Sequence, residues 1–126
     1  MFEPSKTSWD PNTGLTLFGR KPALEALLDP SLTFHCLHLA DSNRPAGIIS
    51  QIISEAERRG AEIRYHDRLA LSRISKNGRQ DQGVALDVVC PQFASLPTFL
   101  DQPSATRRVL ALDGVTNPQN VGMIIR

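Results

Sequence analysis

Between Phe34 and Tyr65 the hydrophobic pattern changes period twice, and this restricts the chain to a layered α/β fold. Phe34 to Ala40 (FHCLHLA) is a compact apolar run, the pattern of a strand buried on both faces as in a parallel sheet. Asp41-Ser42-Asn43 follows as a loop, and Pro45 opens the next element. Within Ala46 to Arg59, Ile48, Ile49, Ile52, Ile53 and Ala56 recur on one helical stripe. Arg58 and Arg59 suit the negative end of that helix, and Gly60 its left-handed exit. Ala61 to Tyr65 then alternates apolar and charged residues, which places Ala61, Ile63 and Tyr65 on one side of a strand.

The flanking sequence extends this alternation. Gly19 to Leu28 reads as a short helix, with Pro22 in its first turn and Leu24, Leu27 and Leu28 on its apolar face. Asp67 is placed to cap a third helix running to about Ile74. Ser75 to Gln82 (SKNGRQDQ) is a polar loop, and Val84 to Cys90 is another strand. Pro91 to Thr106, with Pro91, Pro97 and Pro103, reads as a linker. Val109 to Leu112 reads as a short buried strand, Asp113 to Gln119 as a loop, and a helix begins at Asn120, whose side chain is placed to cap it. The expected organisation is a loose tail over 1–16, an α/β domain over 17–90, a linker over 91–106 and a strand–helix unit over 107–126. A strand–helix pair cannot bury its own apolar faces, so the last unit is expected to be the incomplete start of a second domain near Arg107.

Several classes are disfavoured by composition. The chain has 126 residues, enough for one ordinary domain or a smaller domain with an appendage. No apolar run approaches the roughly 20 residues that span a bilayer, so no membrane association is expected. Cys36 and Cys90 lie far apart without CxxC spacing, which disfavours a disulfide framework or a zinc ribbon. His35 and His38 are expected on opposite faces of their strand, so no metal site is expected. The N-terminus carries no secretory or transit signal, and a cytoplasmic location is expected.

The net charge of +1 hides an uneven distribution. Seven of the fourteen basic residues lie between Arg58 and Arg79, against Glu62 and Asp67, a local balance of +5. Guanidinium groups form planar, paired hydrogen bonds to phosphate and stack on bases. A solvated, ion-paired helix face is the plainer reading of the same charges. The loop Asp113–Asn120 offers a second anion-binding element. It follows a strand and opens a helix, where free backbone N–H groups attract phosphate. Arg126 lies six positions beyond Asn120, and its long side chain is expected to reach back toward that loop.

Val109 to Arg126 resembles the first signature motif of the SpoU-like branch of the SPOUT RNA methyltransferases. That motif is a buried strand, Leu-Asp-x-Val/Ile, Asn/Asp-Pro-x-Asn-x-Gly, then a helix carrying an arginine. Leu112, Asp113, Asn117, Pro118, Asn120, Gly122 and Arg126 match it. Gly19 to Leu27 (GRKPALEAL) resembles the opening helix of the family's N-terminal substrate-binding domain, an L30e-like fold. Gln82-Gly83-Val84-Ala85 resembles the entry to its last strand, with Asp81 in place of the histidine common before Gln-Gly. The resemblance implies an L30e-like three-layer α/β domain followed by the truncated β-α start of a knotted SPOUT domain.

It also implies transfer of a methyl group from S-adenosylmethionine to a ribose 2′-hydroxyl of RNA. Asn120 and Arg126 would be the catalytic residues. Two later motifs build the family's cofactor pocket, and neither occurs in this sequence, so the chain alone is expected to be inactive and to bind the cofactor weakly or not at all. Arg20, Lys21, Arg73, Lys76, Arg79 and Gln82 are the candidate RNA contacts, with Phe34, Tyr65 and Phe93 the best-placed stacking rings. Ribosomal RNA is the expected substrate, with tRNA as the alternative. The family dimerises through the knotted domain, so the parent is expected to be a homodimer and this chain a monomer. Two other readings compete. One is a stand-alone L30e/L7Ae-like RNA-binding module without catalysis. The other is a nucleotide-binding α/β enzyme, which the lack of a GxGxxG or GxxxxGK[ST] pattern disfavours.

Overall fold

A computed structural model describes residues 9–10, 13–91 and 94–126. The chain runs through β1 (Gly14–Phe18), α1 (Arg20–Leu28), β2 (Thr33–Ala40), α2 (Ile48–Arg58), β3 (Glu62–His66), α3 (Arg68–Ser75), β4 (Val84–Val89), α4 (Leu96–Leu100) and α5 (Pro118–Ile125). It divides into two compact units after Ser95.

The first unit is an α/β domain around a four-stranded sheet of order β1-β4-β2-β3. β2 pairs parallel with β3, from Cys36 opposite Glu62 to Ala40 opposite His66. β4 lies antiparallel to both β2 and β1, so the sheet is mixed rather than wholly parallel. The reason is chain direction: β4 enters from the α3 loop at the same end where β2 finishes, and Ala40 N–H donates to Gly83 O at 2.9 Å. β1 was not expected. At Gly14 to Thr16 the tail reading is corrected by the ladder from Gly14 opposite Val89 to Phe18 opposite Ala85. A five-residue edge strand carries a weak periodic signal, and this one forms because β4 offers it a free edge.

Three layers result. α1 and α2 cover one sheet face, where Ala23, Leu27, Ile49, Ile52 and Ala56 pack on Phe34, Leu37, Leu39, Val84, Leu86 and Val88. α3 covers part of the other face, where Leu71 packs on Ala40 and Ala85. Ile63 packs against the first of these clusters, whereas Tyr65 is exposed. The apolar stripe read for α2 thus faces the core, although the helix starts at Ile48 rather than Ala46 because Gly47 takes the N-cap position. α3 has the expected cap: Asp67 Oδ1 accepts from the Ala70 N–H at 2.7 Å. Asp67→Ala should therefore cost about 1 kcal/mol of stability, read as a lower urea midpoint at unchanged slope.

Within the second unit α4 occupies part of the expected linker, and the Arg107 guanidinium lies 4.3 Å over the Phe99 ring while donating to the Phe99 carbonyl at 3.1 Å. Two expectations are corrected here. Val109 to Leu112 is not a strand, and Val109 and Leu110 are 68% and 70% exposed. A strand needs a neighbour to take up its N–H and C=O groups, and none pairs with this segment among the described residues. α5 is capped by Asn117, whose Oδ1 accepts from Gln119 N–H at 2.9 Å, so Asn120 sits inside the first turn rather than at the cap.

Candidate functional site

The end of the sheet where β2 stops and β4 starts carries a basic cleft. Three chain segments meet there. The Arg20 backbone N–H at the start of α1 donates to Gln82 Oε1 at 3.0 Å, and its side chain donates to Gln82 O at 3.3 Å and Asn43 Oδ1 at 3.2 Å. Asn43, in the loop after β2, donates to Gly83 O at 2.7 Å. Gln82 and Gly83 are both left-handed, at φ 54° and 76°. A Cβ at Gly83 would lie 2.7 Å from Asn43 Nδ2, so this close approach requires glycine.

Asp81 holds the loop in that shape. It is buried, its Oδ1 accepts from Gly83 N–H at 2.9 Å, and its Oδ2 accepts from the Ser75 hydroxyl at 2.7 Å. The residue that departs from the SpoU-like pattern thus organises the loop from inside.

The resulting depression, about 390 Å³, is lined by Arg20, Ala40, Ser42, Asn43, Arg68, Gln82 and Gly83. A second one of about 510 Å³ shares Arg20 and Gln82 and adds Lys21. Among the described residues no carboxylate lines either depression. Guanidinium, ammonium, amide and hydroxyl donors without an opposing acid suit an anion with several oxygens, such as a backbone phosphate.

On the face of the sheet beside α3 lies a different cluster. The Thr16 hydroxyl donates to Asp87 Oδ1 at 2.7 Å, Asp87 Oδ2 lies 2.8 Å from His38 Nε2, and His38 Nδ1 lies 2.9 Å from His66 Nε2. Cys36 Sγ lies 3.8 Å from the same His38 Nδ1. Burial, then the Asp87 carboxylate, pushes the Cys36 thiol up to about 12. Burial also holds His66 below the ordinary histidine value, with His38 and Arg64 acting in the same direction. His35 and His38, expected on opposite faces, both line one depression of about 590 Å³. A register shift between Phe34 and Leu37 resets the alternation that the expectation assumed.

Residues 16–94 match the family described as RNA 2′-O ribose methyltransferase substrate binding. The chain belongs to this substrate-binding family. It is 31% identical over 115 residues to proteins named as uncharacterized tRNA/rRNA methyltransferases of Mycobacterium tuberculosis and Mycobacterium ulcerans, covering 88% of this chain and 34% and 36% of theirs. A protein of the same name from Mycolicibacterium vanbaalenii is 30% identical over 87% of this chain and 35% of its own length. The chain therefore spans about a third of the length of these curated relatives.

Within the substrate-binding domain the residues singled out by sequence separate into groups. Arg20, Lys21 and Gln82 line the two adjoining depressions. Lys76 lines the depression on the α3 face instead, and Arg73 and Arg79 are exposed without lining the basic cleft. Phe34 is core, and Arg59 stacks over it at 5.0 Å. Tyr65 is 61% exposed, and Phe93 lies outside the described residues. Within the basic run, Arg59 donates to the carbonyls of Leu27, Asp29 and Leu32, Arg58 pairs with Glu55, and Arg64 pairs with Glu62. The plainer reading of an ion-paired helix face thus holds for Arg58, while Arg64 is ion-paired on β3 and Arg59 is spent on backbone carbonyls. Asn43 and Arg68 were missed. Asn43 carried a weak signal, a polar residue in the loop after a buried strand.

In the second unit Asn120 lies in the first turn of α5 and Arg126 at its C-cap. Six residues of helix separate them by about 9 Å along the axis, so the helix does not bring them side by side. Among the described residues no helix is long and apolar enough to cross a membrane.

Proposed function

We propose that this chain presents RNA to the catalytic centre of an S-adenosylmethionine-dependent ribose 2′-O-methyltransferase, with ribosomal RNA as substrate. The carrying observation is the acid-free cleft of Arg20, Asn43, Arg68 and Gln82 at one end of a substrate-binding domain. Arg20, Lys21 and Arg68 contact phosphate, while Asn43 and Gln82 hold the loops that shape the cleft. The domain recognises folded RNA by shape and backbone charge, because of the two stacking candidates among the described residues Phe34 is buried in the core and Tyr65 alone is exposed. The names of the relatives support both tRNA and rRNA as substrates, and the ribosomal choice is the one carried from the family resemblance.

The methyl donor is S-adenosylmethionine in this reading. The described residues do not fit it: in the second unit Val109, Leu110, Met123 and Ile125 are solvent-exposed and do not enclose an adenosyl group. Asn120 and Arg126 are proposed to act on the RNA ribose and its phosphate. Arg126 stays charged at any ordinary pH, so it anchors phosphate and stabilises the developing alkoxide rather than removing the proton.

The test is binding of a structured ribosomal RNA fragment over a range of salt concentrations. Arg20→Ala with Arg68→Ala should weaken binding about 10- to 100-fold and flatten the logarithmic salt slope by about two. Arg58→Ala, whose charge is paired with Glu55, should leave both unchanged. An unaltered slope in the double variant would remove the cleft from the RNA interface.

A further inference from the structure

The cluster on the α3 side of the sheet has no part in the RNA reading, and its donor set points elsewhere. One donor atom each from Cys36, His38 and Asp87 lie within 4.8 Å of one another, and all three residues are buried. We propose that Cys36, His38 and Asp87 ligate a single divalent ion of the zinc class, with His66 supporting the His38 ring.

The chemistry of the set favours this ion class. A sulfur, an imidazole nitrogen and a carboxylate oxygen form a mixed borderline set, which suits zinc better than calcium or magnesium, whose sites are built from oxygen. Around a tetrahedral zinc, with bonds of about 2.0 to 2.3 Å, ligand atoms stand about 3.3 to 3.8 Å apart. With Nδ1 taken up by His66, His38 Nε2 is the ligating nitrogen; it stands 2.8 Å from Asp87 Oδ2, and side-chain rotations open that distance and turn Cys36 Sγ, now 3.8 Å from Nδ1, toward the Nε2 edge of the ring.

The surroundings are those of a held site. Thr16 donates to Asp87 Oδ1 and leaves Oδ2 facing the histidine. His66 lies against His38 Nδ1 and sets the ring's orientation, the support that ligating histidines characteristically receive. The three ligands come from β2 and β4, neighbouring strands paired in register near His38, so rigid elements position them. His38 and Asp87 also line the depression of about 590 Å³, which leaves a fourth coordination position open to solvent or a small ligand. Binding the ion displaces the Cys36 proton to solvent and forms the sulfur–metal bond, with no change of oxidation state.

The sequence offered no such site because Cys-x-His on one strand is not a metal-ligand spacing without its distant partner. Asp87 is 49 residues from His38 and reaches it only through the β2–β4 ladder.

Cobalt(II) is the probe. Added to the whole 126-residue chain after treatment with a chelator, it should give the intense visible bands of a tetrahedral ion and a thiolate charge-transfer band, both bleached by Zn²⁺. Cys36→Ser should abolish the charge-transfer band, while Cys90→Ser retains it. Zn²⁺ at about a hundredfold excess over its dissociation constant should raise Tm by about 10 °C. Should Cys36→Ser fail to fold, X-ray absorption of the zinc-loaded Cys90→Ser protein decides the matter: one sulfur neighbour at about 2.3 Å supports the site. A shell of nitrogen and oxygen alone, or no cobalt spectrum and no shift of Tm in the wild-type chain, overturns it and leaves the cluster a hydrogen-bond network only.

Discussion

Asp87→Ala is expected to lower the unfolding free energy of the metal-free domain by about 3 kcal/mol. The carboxylate accepts from the Thr16 hydroxyl on one oxygen and faces His38 Nε2 on the other. Both Asp87 and His38 are buried, at 5% and 7% exposure. Removing the acceptor leaves a hydroxyl and a ring nitrogen without their partner, each costing about 1 to 3 kcal/mol where water cannot replace it. The loss extends across the sheet, because Thr16 lies on β1 and His38 on β2, with β4 between them. Asp87→Asn keeps an oxygen for Thr16 and should cost about half as much. Urea denaturation in the presence of a chelator measures both, and an unchanged midpoint for Asp87→Ala would show that the network contributes nothing to the fold.

A loss of about 10²- to 10³-fold in kcat is expected for Arg126→Ala in the complete methyltransferase that the proposed function implies, with KM for RNA changed far less. A guanidinium that stabilises charge as it develops acts mainly in the transition state, so its removal reduces kcat. Arg126 follows the last turn of α5, and Asn120 sits in the first, so the two groups would meet the RNA at separate points rather than as a contacting pair. Arg126→Lys keeps the charge but not the two-pronged geometry, and should recover part of the rate. The pH profile supplies the decisive check. A base would shift its lower limb when replaced, whereas an electrostatic group lowers the whole profile and leaves its shape intact. A shift of the limb in Arg126→Lys would refute the electrostatic role.

Both predictions concern residues that differ in how they could be read. Arg126 stands in a local pattern, Asn-Pro-x-Asn-x-Gly followed by arginine, and such patterns survive in a linear string. Asp87 sits in Val84–Val89 (VALDVV), where it looks like a polar interruption of a strand, and nothing adjacent names its partners. The same contrast runs through the basic residues. Arg58, Arg59 and Arg64 made up much of the charge that suggested a phosphate partner, yet they are engaged with Glu55, with carbonyls at the end of α1, and with Glu62. The cleft draws instead on Arg20 and Arg68, which are 48 residues apart.

Hydrophobic period, capping residues and glycine placement were sufficient to locate α1, α2, α3, β2, β3 and β4, because each carries its apolar pattern or its cap within its own few residues. Asp67 capping α3 and the α2 stripe facing the core are the plainest instances. The edge strand β1, the mixed direction of the sheet, the missing strand at Val109–Leu112 and the Cys36–His38–Asp87 cluster depend on which backbone edges and which buried faces become neighbours. A strand exists only by pairing, and a buried polar group is stable only beside its partner. Those conditions are met or missed when distant segments come together, so they leave no trace in the order of residues.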